Sequence, residues 1–257
     1  MSSNTPILDP SREMDEKSWW DLWNTSYRIK DNNDDISSEL FERAATVING
    51  MAQELGGRLL EVACGSGSLS RRLLTYSTYY GLDISPAAID IAREKSKHLT
   101  PRPGASLPLY EAADFHDWPL PAGPFDLVVC VDAIACFRDQ QFMLSKIARS
   151  LREGGRLVLT TINPFVYWRI KSTWQNGPVS RWLSRSELHA MIRSAGFRIE
   201  HSHTIMPRGR LGILWLLNSP RLNEGLGPRA AAILRRLKEQ AGLGQYRFVV
   251  AKKVSTS

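Results

Sequence analysis

The sequence predicts an α/β fold, in which helices cover both faces of a mostly parallel sheet of seven strands. Short apolar segments alternate with segments of helical periodicity, and this alternation is typical of strands joined by helical crossovers. The final predicted strand pair is joined without a crossover, which places one antiparallel strand in the sheet. The length of 257 residues favours one α/β domain with additions over two full domains. We therefore expect a single domain over residues 1–257, with its core at 39–162.

The predicted elements follow from periodicity in the sequence. Residues 40–55 place apolar side chains along one face of a helix. Short runs rich in β-branched and apolar residues predict five strands, at 58–64, 78–85, 106–113, 125–131 and 155–162. Helices are predicted between them at 68–76, 85–99 and 140–151. Towards the C-terminus we expect a helix with a capping box at Ser184 and Glu187, a strand at 197–205, a helix near 228–241 and a strand at 245–253.

Composition narrows the class of protein. Apolar residues make up 43% of the chain, and the longest apolar runs are too short to span a bilayer. The N-terminus lacks the pattern of a secretory leader, and the three cysteines favour free thiols, so we expect a cytoplasmic protein. Residues 1–150 carry a net charge of −6, whereas residues 151–257 carry +13. The basic half is either a functional surface or a set of solvated arginines, and the charge alone leaves both open.

The segment LLEVACGSG, at residues 59–67, places an acidic side chain ahead of a Gly-x-Gly turn. A phosphate-binding turn would not favour Glu61, which indicates a ligand with positive charge. Three later segments, GLDIS, AADFHDWPL and LREGGRLVLTT, follow in order. Together the four resemble the motifs of class I S-adenosylmethionine-dependent methyltransferases of the small-molecule type. The resemblance covers roughly residues 40–200 and the last strand, and implies a doubly wound, Rossmann-like sheet.

The resemblance implies S-adenosylmethionine as the cofactor and assigns residues to it. Glu61 would organise the amino acid end, while Gly65 and Gly67 allow close backbone approach. Asp83 would accept both ribose hydroxyls, and Asp114 the adenine amino group. The complete predicted cofactor set is Trp23, Tyr27, Glu61, Ala63, Gly65, Gly67, Asp83, Ile84, Asp114, Phe115 and Asp132. Tight-turn, helix-capping and solvated-turn roles remain alternatives for the glycines, Asp83 and Asp114. A nicotinamide dehydrogenase is the rival, but Ser70 stands where its third glycine would be.

The sequence gives weaker signals for the methyl acceptor and for the catalytic group. Asp132 and His116 are candidate catalytic residues, although each also fits a structural or surface role. The chain has VDAIACF where adenine-modifying enzymes carry Asn-Pro-Pro-Tyr, which makes nucleobase methylation less favoured. No Cys/His cluster or compact carboxylate set indicates a metal site.

Segments outside the shared core are expected to recognise the acceptor. Residues 1–38 are predicted to form a helical lid, or else a helix that packs its aromatic stripe on the core. Insertions at 163–183 and 205–242 are expected to cap the site. Predicted acceptor contacts are Trp19, Tyr167, Trp168 and Arg208.

We expect methylation at O or N of a small aromatic or apolar metabolite of natural-product metabolism. This interpretation does not favour nucleic acid as a partner, and it leaves open a contact with a membrane surface. The alternatives are an RNA methyltransferase, a lipid- or quinone-type methyltransferase at a membrane surface, and a protein that binds the cofactor without turnover.

Overall fold

The computed structural model describes residues 15–24, 35–55, 57–73, 76–101, 103–121, 123–167, 181–207 and 225–254. Seven strands form one sheet in the order β3-β2-β1-β4-β5-β7-β6. The strands are β1 (Arg58–Val62), β2 (Thr78–Asp83), β3 (Leu109–Ala112), β4 (Phe125–Val131), β5 (Leu151–Ile162), β6 (Phe197–Pro207) and β7 (Gly244–Lys253). The helices are α1 (Glu16–Leu22), α2 (Asp35–Leu55), α3 (Pro86–Ser96), α4 (Gln140–Ser150), α5 (Pro164–Tyr167), α6 (Arg185–Ser194) and α7 (Gly227–Gln240).

The sheet confirms the predicted mixture of strand directions. Strands β1 to β5 pair with one another in parallel. Strand β7 is antiparallel to both β5 and β6. The chain runs outward from β1 through β2 to β3 and then returns to place β4 on the other side of β1. This reversal opens a crevice at the carboxyl ends of β1 and β4, where doubly wound folds bind their ligands.

Helices cover both faces of the sheet, and each face has its own apolar cluster. On one face α2 and α3 pack on the sheet through Ala44, Ile48 and Ile89, all of which are fully buried. On the other face α4 and α6 pack through side chains such as Leu144 and Leu188. Burial on both faces explains why the central strands read as nearly continuous apolar runs.

Local signals in the sequence set the boundaries of several helices. Ser85 caps α3 by accepting a hydrogen bond from the Ala88 N–H at 3.1 Å, and Pro86 begins that helix. The predicted capping box of α6 is confirmed, since Ser184 and Glu187 each accept from the other's backbone N–H. None of the three cysteines, all of which lie in described residues, forms a disulfide.

The prediction of a helix over 68–76 is wrong. Only a single 3₁₀ turn, Ser70–Arg72, forms among the described residues of that range. The Arg71 and Arg72 guanidiniums donate to the carbonyls of Ser66 and Ser68, and these contacts stabilise the tight turn in place of a longer helix.

Other boundaries shift at strand ends. Strand β6 continues to Pro207, three residues into the range assigned to the second cap insertion, because its pairing with β7 extends as far as Gly244. Strand β3 is shorter than predicted and begins at Leu109, where its pairing with β2 starts.

Candidate functional site

A cavity of about 430 Å³ lies at the carboxyl ends of the parallel strands. Its walls come from the turn after β1, the ends of β2, β4 and β5, the loop after β3, and helices α1 and α2. The start of β7 completes it, because the antiparallel direction brings Tyr246 opposite Ile162 at the same edge of the sheet. The cavity therefore occupies the crevice created by the strand order.

The turn after β1 brings the backbone close to the cavity. Ala63, Gly65 and Gly67 all have positive φ, at 59°, 52° and 71°. A Cβ atom on Gly67 would lie 2.9 Å from the Tyr110 hydroxyl, so both its conformation and its surroundings require glycine. Ala63 adopts the same left-handed region with a side chain, at a cost of roughly 1 kcal/mol.

Asp83 links this turn to the end of β2. One oxygen of its buried carboxylate accepts from the Gly65 N–H at 2.7 Å, and the other accepts from the Ser85 N–H at 3.0 Å. Each carboxylate oxygen can accept more than one hydrogen bond. Asp83 lines the cavity, which fits the predicted contact with two vicinal hydroxyls as well as a role in holding the turn.

Glu61 lies below the turn in β1 and is 1% exposed. The Tyr79 hydroxyl donates a hydrogen bond to its carboxylate. Glu61 and Gly67 are not among the residues that line the cavity, so any influence on a ligand would act through the turn above them. The predicted role of Glu61 at the amino acid end stays a prediction.

The loop after β3 builds one end of the cavity. The Asp114 carboxylate accepts from the His116 N–H at 2.8 Å and lies 3.4 Å from the Arg138 guanidinium. The His116 ring stacks on Phe142, with centroids 5.2 Å apart and planes 6° from parallel. Its Nε2 is buried without a hydrogen-bond partner among the described residues. Phe115 is 3% exposed and contributes to both the cavity wall and the core.

Asp132 lines the cavity directly after β4. It has φ of 57°, and its N–H donates to the carbonyl and the hydroxyl of Thr160. These two bonds to β5 hold a conformation that a residue other than glycine rarely adopts. The structure therefore fixes the backbone from which the predicted catalytic carboxylate enters the cavity.

Helix α1 covers part of the cavity. The Asp21 carboxylate accepts from the Ser85 hydroxyl and, at 3.3 Å, from the Ala87 N–H at the N-terminus of α3. Trp23 lines the cavity, and Trp19 stacks on it with centroids 5.5 Å apart, but Trp19 itself is not a lining residue. The described part of the predicted lid thus contacts the start of α3, next to Asp83.

Two further polar atoms of the cavity lining lack partners. Gln245, at the start of β7, has a buried Oε1 with no hydrogen-bond partner in the described ranges. Asn24, which follows α1, has a buried Oδ1 in the same condition, although its amide nitrogen donates to the Trp20 carbonyl at 2.8 Å. Buried acceptors without partners are costly, and a ligand that donates hydrogen bonds would satisfy them.

Several predicted contacts cannot be placed. Tyr27, Trp168 and Arg208 lie outside the described residues, as does the side chain of Tyr167. The backbone of Tyr167 ends α5, directly after β5.

The comparison with protein families identifies the domain. Residues 60–159 match the model described as a methyltransferase domain. This range begins in β1, contains the turn, Asp83 and Asp114, and ends in β5. The chain contains a class I methyltransferase domain. The sequence prediction of an S-adenosylmethionine-dependent methyltransferase is thereby confirmed for family and cofactor.

Known proteins similar to this one include several that are named as methyltransferases. A phthiotriol/phenolphthiotriol dimycocerosates methyltransferase of Mycobacterium leprae is 31% identical over 128 residues, which are 49% of this chain and 43% of that protein. The chain spans about half the length of the curated relatives that it matches at 30% identity or more. An O-methyltransferase of Aspergillus sclerotiorum is 25% identical over 241 residues, or 86% of this chain and 87% of that protein.

A solved structure supports the fold. Magnesium protoporphyrin IX methyltransferase from Synechocystis, with bound S-adenosylhomocysteine, has a TM-score of 0.61 at 16% identity. The match covers 91% of this chain and 97% of that one. The predicted Rossmann-like sheet of the methyltransferase domain is confirmed.

The cavity also has lining residues that the sequence analysis did not indicate. Trp20, Asn24, Arg72 and Gln245 line the cavity, but each belongs to a segment whose placement depends on tertiary contacts. Only Trp20 had a signal, because it lies in the aromatic run that predicts the lid. Cys136 also lines the cavity, and burial raises the pKa of its thiol to about 12, so it is a poor nucleophile.

The described residues contain neither a metal-binding group nor a membrane-spanning helix. No group of three or more His, Cys, Asp or Glu side chains there is arranged to hold a metal ion. Among the described helices, none combines the length and the apolarity that crossing a bilayer requires.

Proposed function

We propose that the protein transfers a methyl group from S-adenosylmethionine to an oxygen or nitrogen atom of a small, largely aromatic or apolar molecule. The observation that carries this proposal is one cavity with two chemically different ends. The end at β1, β2 and β3 has the polar groups that a nucleoside requires, and the end at β5 and β7 has one buried acceptor, the Gln245 Oε1, next to Tyr246 in the sequence. A shared cavity would bring two ligands into contact.

The residues present fit the cofactor. The Asp83 carboxylate lies at the carboxyl end of β2 with both oxygens oriented by backbone N–H groups, which suits a ribose diol. Gly65, in the left-handed conformation with φ of 52°, lines the cavity with backbone alone and so allows a ligand to approach closely. Asp114, with the unpartnered His116 Nε2 beside it, suits the hydrogen-bonding edge of adenine.

Asp132 is proposed to hold the acceptor. S-adenosylmethionine supplies a methyl group that is already activated by its positively charged sulfur. The protein therefore has to position the acceptor, exclude water and receive a proton where the acceptor arrives protonated. Asp132 follows β4, between the two ends of the cavity, and its carboxylate suits the last task.

His116 is better suited to the nucleoside than to proton transfer. It follows β3, the edge strand of the sheet, whereas Gln245 and Tyr246 belong to β7 on the other side of β4. The strand order therefore separates His116 from the acceptor end by the width of the cavity. We assign His116 to cofactor binding and Asp132 to catalysis.

The size and lining of the cavity favour a small acceptor. Trp20, Trp23, Phe137 and Tyr246 contribute aromatic surface, which binds apolar and aromatic rings. The O-methyltransferase that aligns along most of the chain supports an oxygen acceptor. The dimycocerosates methyltransferase supports a second candidate, a lipid-type acceptor.

The proposal is tested by transfer of a labelled methyl group. Purified full-length chain is incubated with methyl-labelled S-adenosylmethionine and panels of phenols, carboxylic acids, amines, quinols and extracted RNA, with Asp132→Asn as the comparison. We expect label in a small phenol, acid or amine and strongly reduced transfer by the variant. Transfer confined to RNA, with a loss of several hundredfold between about 50 and 200 mM salt, would overturn the small-molecule assignment.

A further inference from the structure

Helix α7 presents apolar side chains to solvent on one face. Arg229, Ile233, Arg236 and Leu237 follow one another at spacings of four, three and one, which places them on adjacent positions of a single helical stripe. Ile233 is 60% exposed and Leu237 is 57% exposed. Leu226, directly before the helix, is 39% exposed. We call the stripe of Arg229, Ile233, Arg236 and Leu237 the exposed face of α7.

The opposite side of α7 is anchored to the domain, which fixes this orientation. Glu239 is buried, and its carboxylate accepts from the Arg43 guanidinium at 2.7 Å and from the Met206 N–H at 3.3 Å. The Thr204 hydroxyl donates to the Glu239 carbonyl at 2.6 Å. Rotation of the helix to bury Ile233 would break all three contacts. The exposed face of α7 is therefore a stable feature of the surface.

The charges around these apolar side chains have one sign. The exposed charged residues within Gly227–Gln240 are Arg229, Arg235 and Arg236, and the acid Glu239 is buried against Arg43. The half of the sequence that contains the helix carries a net charge of +13. Exposed aliphatic side chains flanked by arginines are typical of helices that lie in the interface of a membrane with anionic lipids.

The location of α7 adds a reason for such contact. Four residues after the helix, β7 begins at the edge of the sheet where the acceptor end of the cavity lies. The Asn163 amide nitrogen donates to the carbonyls of Gly242 and Gly244, at 2.9 and 2.8 Å, and ties the end of α7 to the end of β5. A bilayer on α7 would lie near the end of the cavity that is lined by Ile162 and Tyr246.

We propose that the exposed face of α7 binds the surface of an anionic lipid bilayer. Ile233 and Leu237 insert between the headgroups, and Arg229 and Arg236 contact the lipid phosphates. The binding does not require methyl transfer, so this inference stands or falls independently of the proposed function.

The test is co-sedimentation of the full-length chain with vesicles, at about 50 and 150 mM salt. Vesicles of phosphatidylcholine alone are compared with vesicles that also contain phosphatidylserine. We expect binding to the anionic vesicles, weakened by salt, and at least about tenfold weaker partitioning for Ile233→Asp/Leu237→Asp and for Arg229→Glu/Arg236→Glu. Circular dichroism verifies that the variants retain the fold.

Two controls separate this surface from general effects of charge and hydrophobicity. Leu107→Asp removes a side chain that is 44% exposed elsewhere on the domain, and Arg198→Glu reverses a charge that is 68% exposed on β6. Both controls should bind vesicles as the parent chain does. The inference is overturned if the parent chain ignores anionic vesicles, if the controls lose binding equally, or if the α7 variants instead convert a dimer to a monomer in sedimentation velocity.

Discussion

The two ends of the cavity differ in what holds their polar groups in place. At the proposed cofactor end, the Asp83 carboxylate accepts from two backbone N–H groups, and the Asp114 carboxylate accepts from the His116 N–H. At the proposed acceptor end, the Gln245 Oε1 is buried without a hydrogen-bond partner within the described part of the chain. The carboxylates at one end are thus held by backbone N–H groups, whereas the polar atom at the other end is carried by a side chain without such contacts.

This difference indicates how one sheet can bind both a cofactor that is common to a family and an acceptor that differs between its members. Backbone N–H groups and turn glycines at the cofactor end hold a geometry that tolerates few substitutions. Side chains on β7 can be exchanged without moving the strand that carries them. Substitutions at the two ends should therefore affect different ligands.

The largest expected effect is at Asp83. Asp83→Ala removes two charge-assisted contacts to the ribose, and S-adenosylmethionine binding should weaken by about 2–4 kcal/mol. Isothermal titration calorimetry measures the change. Asp90→Ala, which removes an exposed carboxylate on α3, is the matched control and should bind as the parent chain does. An unchanged affinity of Asp83→Ala would remove this carboxylate from the site.

A smaller effect is expected at the acceptor end. Gln245→Leu removes the buried amide oxygen, so the KM for an acceptor that donates a hydrogen bond should rise about tenfold. The free energy of unfolding should not fall, because the lost amide oxygen has no hydrogen-bond partner among the described residues. Steady-state kinetics and urea unfolding are the two measurements. A loss of stability with an unchanged KM would instead assign Gln245 a structural role.

A further comparison concerns the attachment of α1. Asp21→Ala removes a negative charge from the N-terminus of α3 and a hydrogen bond from the Ser85 hydroxyl. Cofactor affinity should fall about threefold to tenfold, since α1 then covers the cavity less often. Calorimetry at two salt concentrations follows the effect. Equal affinity in both proteins would show that α1 does not contribute to cofactor binding.

The smallest expected effect is at Ala63. Ala63→Gly relieves a side chain held at a φ of 59° but adds freedom to the unfolded chain. The free energy of unfolding should rise by no more than about 1 kcal/mol, and cofactor affinity should be unchanged. Urea denaturation tests this. Marked destabilisation would mean that the Ala63 methyl group has packing that outweighs the conformational strain.

The sequence predicted where Asp83 and Gly65 lie in the fold because the signals that place them are local. Asp83 ends a strand and precedes a capped helix, and Gly65 lies in a turn directly after another strand, so neighbouring residues suffice to place both. The error at 68–76 is also instructive, because Arg71 and Arg72 have good helix propensity, but their side chains bind carbonyls of the turn.

The acceptor end could not be predicted in this way. Gln245 begins an ordinary strand, and nothing near it in the sequence indicates a cavity. It reaches the site because β7 pairs antiparallel with β5 and brings Tyr246 opposite Ile162. Asn24, which also lines the cavity, is likewise placed by a long-range contact, the packing of α1 on α3 across 64 residues of sequence. Such residues depend on long-range pairing, which local patterns do not encode.

The separation of the two ends is tested most directly by cofactor affinity in four proteins. Calorimetry with S-adenosylmethionine compares the parent chain, Asp83→Ala, Gln245→Leu and the double variant. We expect Gln245→Leu to match the parent, and the double variant to match Asp83→Ala, with both losing at least about thirtyfold in affinity. If Gln245→Leu weakened cofactor binding as much as Asp83→Ala, the cavity would not have the two independent ends described above.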